Sequence, residues 1–362
     1  MTKNTPVFII GTGRCGSTLL SNLLNQHPAI LSLSEFFLSV SDLCSLLPGL
    51  FSQHLLTGQE FWQLISRVMP KQDILLKHDL QFPEIIYPFY LESTKFTRNT
   101  GIPAILQTTL PHICESVAVS SNINADILYY QLAEYTSTYP LRTWSQHCQT
   151  LFSDLSNLFG KTAWIERSGS SIRMLPYLIK QFPDAKFVHI IRDGRNCAIS
   201  MENHTGFRMG VISIMLTEIL GYDPYESPRR DNINDLPDDL IQFLPENFSA
   251  EYFLNYRQSP SLFGIYWSGV IREALEALST VPSEKVLTIK YEEILTNPSD
   301  RLRDLVMYID KNLEVSAWLT NVSTQIRSPR SQWQELTATE QGLLQEACAP
   351  GFEILQKKGI YW

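Results

Sequence analysis

The chain has 362 residues, with 37 acidic side chains against 29 lysines and arginines and a formal net charge of −8. That balance argues against broad binding to nucleic acid or polyanionic glycans while leaving room for a local basic cleft. Hydrophobic residues at 44% and aromatics at 11% supply a sizeable core. No signal peptide and no apolar run of about 20 residues is evident, so a cytoplasmic protein with no membrane partner is expected. In chain order, apolar runs at 7–10, 30–33, 104–107, 163–166, 187–191 and 286–290 read as strands. All but the 104–107 run alternate with helical patterns, which predicts an α/β fold, a mainly parallel sheet flanked by helices, in one domain spanning 1–362. Two long insertions interrupt it. Residues 40–155 read as largely helical, and residues 205–262, with Asp223-Pro224-Tyr225, Ser227-Pro228 and an Asp-rich 231–239 stretch, read as a mobile loop or lid. A helix over Leu262–Leu278 then returns to the core.

The first strand, Val7-Phe8-Ile9-Ile10, runs into Gly11-Thr12-Gly13-Arg14-Cys15-Gly16-Ser17-Thr18, and Leu19, Leu20, Leu23 and Leu24 follow at helical spacing. A glycine-rich turn between strand and helix lets the backbone approach an anion that the free N–H groups of the first helical turn face. Spacing alone leaves the ligand open. Gly11 to Gly16 fits a nucleoside-triphosphate loop, but Ser17 stands where that loop has its lysine, which weakens the reading as a P-loop-type nucleotide kinase. Gly11, Gly13 and Gly16 also satisfy G-x-G-x-x-G, and Glu35 lies 19 residues beyond Gly16, as the ribose-binding acid of an NAD-dependent dehydrogenase would. Arg14, Ser17 and Thr18 suit a compact, highly charged group better than a bridging pyrophosphate.

A second motif follows the strand-like run 187–191. Arg192-Asp193-Gly194-Arg195 comes at its carboxyl end, and Ser200 lies eight positions after Arg192, two helical turns on, where the pair can converge on one anion. With both motifs in this order, the chain resembles sulfotransferases that use 3′-phosphoadenosine 5′-phosphosulfate (PAPS). The Arg192-Asp193-Gly194-Arg195 run is especially similar to the tyrosylprotein-sulfotransferase branch and its bacterial relatives. The resemblance implies a P-loop-like fold in which Arg14, Cys15, Gly16, Ser17 and Thr18 bind the 5′-phosphosulfate, and Arg192 and Ser200 the 3′-phosphate. Tyr291-Glu292-Glu293-Ile294-Leu295, with Asn297-Pro298, is similar to the family's Y-E-x-L segment, whose tyrosine lies near the adenine and 3′-phosphate.

Arg167, nine residues before Pro176, takes the place of the family's catalytic-site lysine. The histidine found two residues past that lysine in cytosolic members is here Gly169. The resemblance therefore implies Glu35 as general base, as a glutamate of this region serves the tyrosylprotein branch, with Arg14 and Arg167 stabilising charge on the moving sulfuryl group. It further implies a hydroxyl or amine acceptor, either a small molecule or carrier-bound, with 3′,5′-adenosine bisphosphate as product and no metal. Blander readings make Glu35 a helix cap or arginine partner, pair Arg192 with Asp193, and leave Arg167 at the surface beside Glu166.

The six cysteines and seven histidines show no metal-ligand spacing. Cys15 is expected to have a pKa lowered by the helix terminus. His112 reads as a candidate substrate contact in the acceptor pocket, and His78 as a weaker one. The insertions are expected to build that pocket. The basic segment Arg327–Trp333 is expected to close over the nucleotide.

Overall fold

The computed structural model describes residues 5–41, 54–80, 82–91, 93–115, 124–169, 171–326 and 332–362. Among the described residues, seven strands occur in chain order: β1 (Val7–Ile10), β2 (Ile30–Ser34), β3 (Leu55–Leu56), β4 (Arg142–Thr143), β5 (Ala163–Arg167), β6 (Lys186–Ile191) and β7 (Val286–Lys290). Five of them form one parallel sheet in the order β2-β5-β1-β6-β7, while β3 and β4 make a separate antiparallel pair. The central strands β1, β5 and β6 are buried along nearly their whole length because helices cover both faces of the sheet. Alternation along β1 sends Phe8 and Ile10 to one core with Leu31, Leu33 and Trp164, and Val7 and Ile9 to a second core with Ile165, Val188 and Ile190.

β1 sits in the middle of the sheet. The chain leaves it for the β2 edge and returns through β5 before crossing to β6 and β7, so a crevice opens at the carboxyl end of β1, where the strand order switches. The five carboxyl ends then present, in sheet order, Glu35, Arg167, the Gly11–Ser17 turn, Arg192 and Tyr291. At about 4.8 Å per strand, that row is about 19 Å long.

Two expectations are corrected. The 104–107 run is not a strand but a helical turn, Ala104–Gln107, in which Leu106 and Gln107 donate to the Pro103 carbonyl. A short buried apolar run carries no periodicity that separates strand from helix. Nor is 205–262 a loose lid. It opens with a 16-residue helix, Thr205–Leu220, capped by His204 and ended by Gly221 at φ 77°. Beyond it Tyr222, Tyr225, Phe243 and Phe253 are buried. These aromatics, lying among the Pro and Asp turn signals, join the segment to the apolar core on the Phe8 face of the sheet.

The first insertion is helical as expected, with helices including Gly58–Ile65, Pro70–Lys77 and Ala125–Ser137. Its last helix, Trp144–Leu158, packs against β2 and β5. The predicted returning helix runs Pro260–Leu278 with Trp267 fully buried. Among the described residues, no helix is long and apolar enough to cross a membrane.

Candidate active site

The turn after β1 is shaped by backbone conformations that few side chains tolerate. Gly13, Arg14 and Gly16 have φ of 77°, 52° and 94°. A Cβ on Gly16 would lie 2.2 Å from the Tyr291 ring, and one on Gly13 would lie 2.3 Å from the Phe207 ring. Both positions therefore demand glycine. The helix that follows, Ser17–Asn25, has no side-chain cap, so its first N–H groups are directed at whatever anion the turn receives. Cys15 departs from expectation. Its side chain is buried, and burial pushes the thiol above its ordinary value despite the helix terminus, so only its backbone is placed for binding.

The two sequence motifs meet. Arg192 Nη1 donates to the Arg14 carbonyl at 2.9 Å, and Arg14 Nε donates to Ser200 Oγ at 3.1 Å. The Arg192 guanidinium lies 5.0 Å from the centroid of the Tyr291 ring, the ring that also packs on Gly16. Asp193 is not the partner of Arg192. It caps the Gly194–Glu202 helix and pairs with Arg195 at 2.6 Å, while its own N–H donates to Glu292 Oε1 at 3.0 Å. Arg14, Ser200, Arg192 and Tyr291 thus form one contiguous patch.

On the other side of β1, Glu35 and Arg167 form a buried pair, 7% and 1% exposed. Glu35 Oε1 accepts from Arg167 Nη1, and Oε2 accepts from the Gly169 N–H at 2.9 Å. Arg167 Nη2 donates to Ser34 Oγ at 2.7 Å. Arg167 is therefore no surface charge. Glu35, like Arg14, sits in the left-handed region at φ 59°. Two non-glycine residues in this sparsely populated conformation, one beyond β1 and one beyond β2 on the same edge of the sheet, mark a place where position is held against local preference.

A cavity of about 430 Å³ opens onto this row. Gly13, Arg14, Ser17, Thr18, Glu35 and Arg167 form its polar end. Leu75, Phe82 and Ile85 from the first insertion and Phe207, Met209 and Ile214 from the second line its apolar wall. Two wall residues escaped the sequence reading. Glu84 Oε1 accepts from Arg14 Nη1 at 2.7 Å, and Glu84 Oε2 lies 2.8 Å from His204 Nε2. Burial alone would raise the Glu84 carboxyl, but His204 and Arg14 hold it down at about 2. Neither residue belongs to a motif, and their proximity is purely tertiary.

The histidine candidates lie elsewhere. His112 is not brought to the cavity: it is buried between the Ser32 carbonyl at 3.2 Å and Asn22 Oδ1 at 3.1 Å. Burial, helped by the Arg167 charge, lowers its pKa to about 4. His78 packs edge-on against Phe248. Of the basic segment expected over the nucleotide, residues 327–331 lie outside the described residues. Trp333 stacks under Arg195, with 4.1 Å between the guanidinium carbon and the ring centroid. Among the described residues, no group of three or more His, Cys, Asp or Glu side chains is placed to hold a metal ion.

Comparison with known proteins bears on this geometry. The profile of the Sulfotransferase family matches residues 6–226, and that of the Sulfotransferase domain matches residues 165–339. No curated protein matches the chain significantly. Among solved structures, the sulfotransferase domain from the curacin biosynthetic pathway is 13% identical with a TM-score of 0.48, covering 99% of this chain and 98% of its own. The sulfotransferase domain of the Synechococcus PCC 7002 olefin synthase is 14% identical with a TM-score of 0.43, covering 99% and 97%. Sulfotransferase STF9 from Mycobacterium avium is 16% identical with a TM-score of 0.45, covering 99% and 77%. The 6–226 match spans more than half of the chain and takes in the β1 turn, Glu35, Arg167 and the Arg192–Ser200 pair. The chain belongs to the sulfotransferase family and is an enzyme of sulfuryl transfer.

Proposed function

We propose that the enzyme transfers a sulfuryl group from PAPS to a hydroxyl group, or an amine, of an acceptor with an apolar body, either a free small molecule or one presented by a carrier. The observation that carries this reading is the row of strand ends. Glu35 and Arg167 stand at one end, the anion-binding turn in the middle, and Arg192 with Tyr291 at the other. Arg14 is bonded to both halves of the second motif. This order suits an elongated donor, with its adenosine and 3′-phosphate over Arg192, Ser200 and Tyr291 and its reacting end over the turn. Ser17, Thr18, Arg14 and Arg167 all face the cavity and supply the donors that a phosphosulfate requires.

PAPS supplies the sulfuryl group. Glu35 takes the proton of the acceptor oxygen or nitrogen as that atom bonds to sulfur. The sulfur–oxygen bond to the 5′-phosphate breaks, leaving 3′,5′-adenosine bisphosphate. Glu35 keeps lone pairs free for this task although each oxygen already accepts one hydrogen bond. Arg14 and Arg167 neutralise charge on the transferring group without moving a proton, because an arginine side chain stays charged. By analogy with phosphoryl transfer, catalysis is mainly positioning plus preorganised positive charge. The apolar wall contributed by both insertions supports the assignment of the cavity to the acceptor.

Thermal unfolding in the presence of 3′,5′-adenosine bisphosphate, ATP or NAD tests the donor class. The bisphosphate at a hundred times its Kd should stabilise the fold by about 2.7 kcal/mol, with little effect from the other two. Stabilisation by ATP or NAD and none by the bisphosphate would point instead to a nucleotide kinase or a dehydrogenase.

A further inference from the structure

Glu84 is a carboxylate inside a cleft shaped for a polyanion, and the transfer chemistry above gives it no task. Its surroundings are specific. Arg14 Nη1 donates to Oε1 at 2.7 Å, and the side chains of this pair are 27% and 19% exposed. His204 Nδ1 accepts from the Gly206 N–H at 3.1 Å, capping the Thr205–Leu220 helix. The proton is therefore on Nε2 and is donated to Glu84 Oε2. Thr108 Oγ1 donates to the Glu84 carbonyl and fixes the backbone. Two other parts of the chain converge on this carboxylate of the first insertion: the turn after β1, through Arg14, and the segment leading into the Thr205–Leu220 helix, through His204.

We infer that Glu84 is a positioning residue that latches Arg14 in the donor-free enzyme and surrenders it to the 5′-phosphosulfate of the entering donor. This rests on the donor reading above. Arg14 has two binding directions, Nε toward Ser200 and the Nη groups toward the cavity. The first couples it to the second motif, and the second is taken by Glu84. An anion seated on the Gly13–Thr18 turn competes with Glu84 for the same Nη groups. When Arg14 turns, the carboxylate stays in place, because His204 still donates to Oε2. The exchange costs donor affinity. In return, the guanidinium remains aimed and neutralised until a donor anchored by Arg192, Ser200 and Tyr291 displaces the carboxylate.

Titration calorimetry with 3′,5′-adenosine bisphosphate on the full chain at fixed ionic strength tests the latch. Glu84→Gln should bind about tenfold more tightly than wild type, the scale of a contact coupling between charged groups. In an Arg14→Ala background, the same substitution should change affinity less than about twofold. A general charge effect or a structural role would not vanish with Arg14, so the double variant discriminates. No tightening in Glu84→Gln, or equal tightening with and without Arg14, would overturn the latch alone. Should Glu84→Gln fail to fold, Glu84→Asp, which keeps the charge but shortens its reach, should give a smaller gain that again requires Arg14. A wild-type protein that binds no bisphosphate would overturn the donor reading and the latch with it.

Discussion

Replacing Glu35 by glutamine tests the base and the buried pair in one variant. Glu35 and Arg167 are 7% and 1% exposed, and three hydrogen bonds converge on them, from Arg167 Nη1 and the Gly169 N–H to Glu35 and from Arg167 Nη2 to Ser34. Removing one partner of a buried ion pair costs about 3–5 kcal/mol, because the other charge is left uncompensated. Glutamine retains one acceptor oxygen for either Arg167 or Gly169, and Ser34 still binds Arg167, so the loss should sit at the low end, about 3 kcal/mol. Urea unfolding measures it. Turnover should fall by about a hundredfold or more, as expected when a general base is removed. Radiolabelled PAPS and an acceptor found by library screening would measure that loss. Affinity for 3′,5′-adenosine bisphosphate should stay within a few-fold of wild type, because Glu35 lies at the far end of the strand-end row from Arg192 and Tyr291. Full turnover in the folded variant would refute the base assignment. An unfolding free energy within about 0.5 kcal/mol of wild type, the range of an ordinary surface substitution, would refute the account of the pair.

Gly16→Ala should impair nucleotide binding more than stability. Holding alanine at φ 94° costs about 1–2 kcal/mol, and its Cβ would push the Tyr291 ring away from the Arg192 guanidinium. Calorimetry should then show bisphosphate affinity down by about tenfold or more, and unchanged affinity would contradict the packing described. Acid sensitivity supplies another test. His189 is buried in β6 with neither ring nitrogen partnered among the described residues, and burial lowers its pKa to about 4; His112 is lowered to about 4 as well. Because these values lie below the ordinary 6.5, the unfolded chain binds more protons between the two pH values. The stability each neutral ring contributes is complete above pH 6.5 and is lost as the pH falls toward 4, by about 1.4 kcal/mol per pH unit for each histidine. His189→Leu should remove about half of this joint slope in urea midpoints between pH 7 and 5, and a slope equal to wild type would show that His189 does not titrate this way.

The five sheet strands were legible because each is a short run rich in apolar residues closed by a turn or helix-start signal, and Gly11–Thr18 announces its turn through glycines, two of which the observed positive φ values require. Arg192 and Ser200 could be paired from their spacing, since a helix at a strand end brings them to one side. The same local logic failed at 104–107, where Pro103 accepts helical bonds that no apolar pattern reveals. It also failed across 205–262, where Pro and Asp signals outweighed the aromatics that make the segment compact. Glu84 and His204 are 120 residues apart and gain meaning only when the two insertions fold against the turn. The left-handed backbone at Arg14 and Glu35, like the burial that raises rather than lowers the Cys15 thiol, is set by tertiary surroundings that no short window of sequence encodes.

A crystal structure of the enzyme with 3′,5′-adenosine bisphosphate is the most direct measurement of the central claim, that one row of strand ends grips both phosphates of the donor. The account predicts the 5′-phosphate on the Gly13–Thr18 amides, the 3′-phosphate on Arg192 and Ser200, and Arg14 turned from Glu84 toward the ligand. A bisphosphate bound away from the β1 turn, or with its 3′-phosphate out of reach of Arg192, would contradict it.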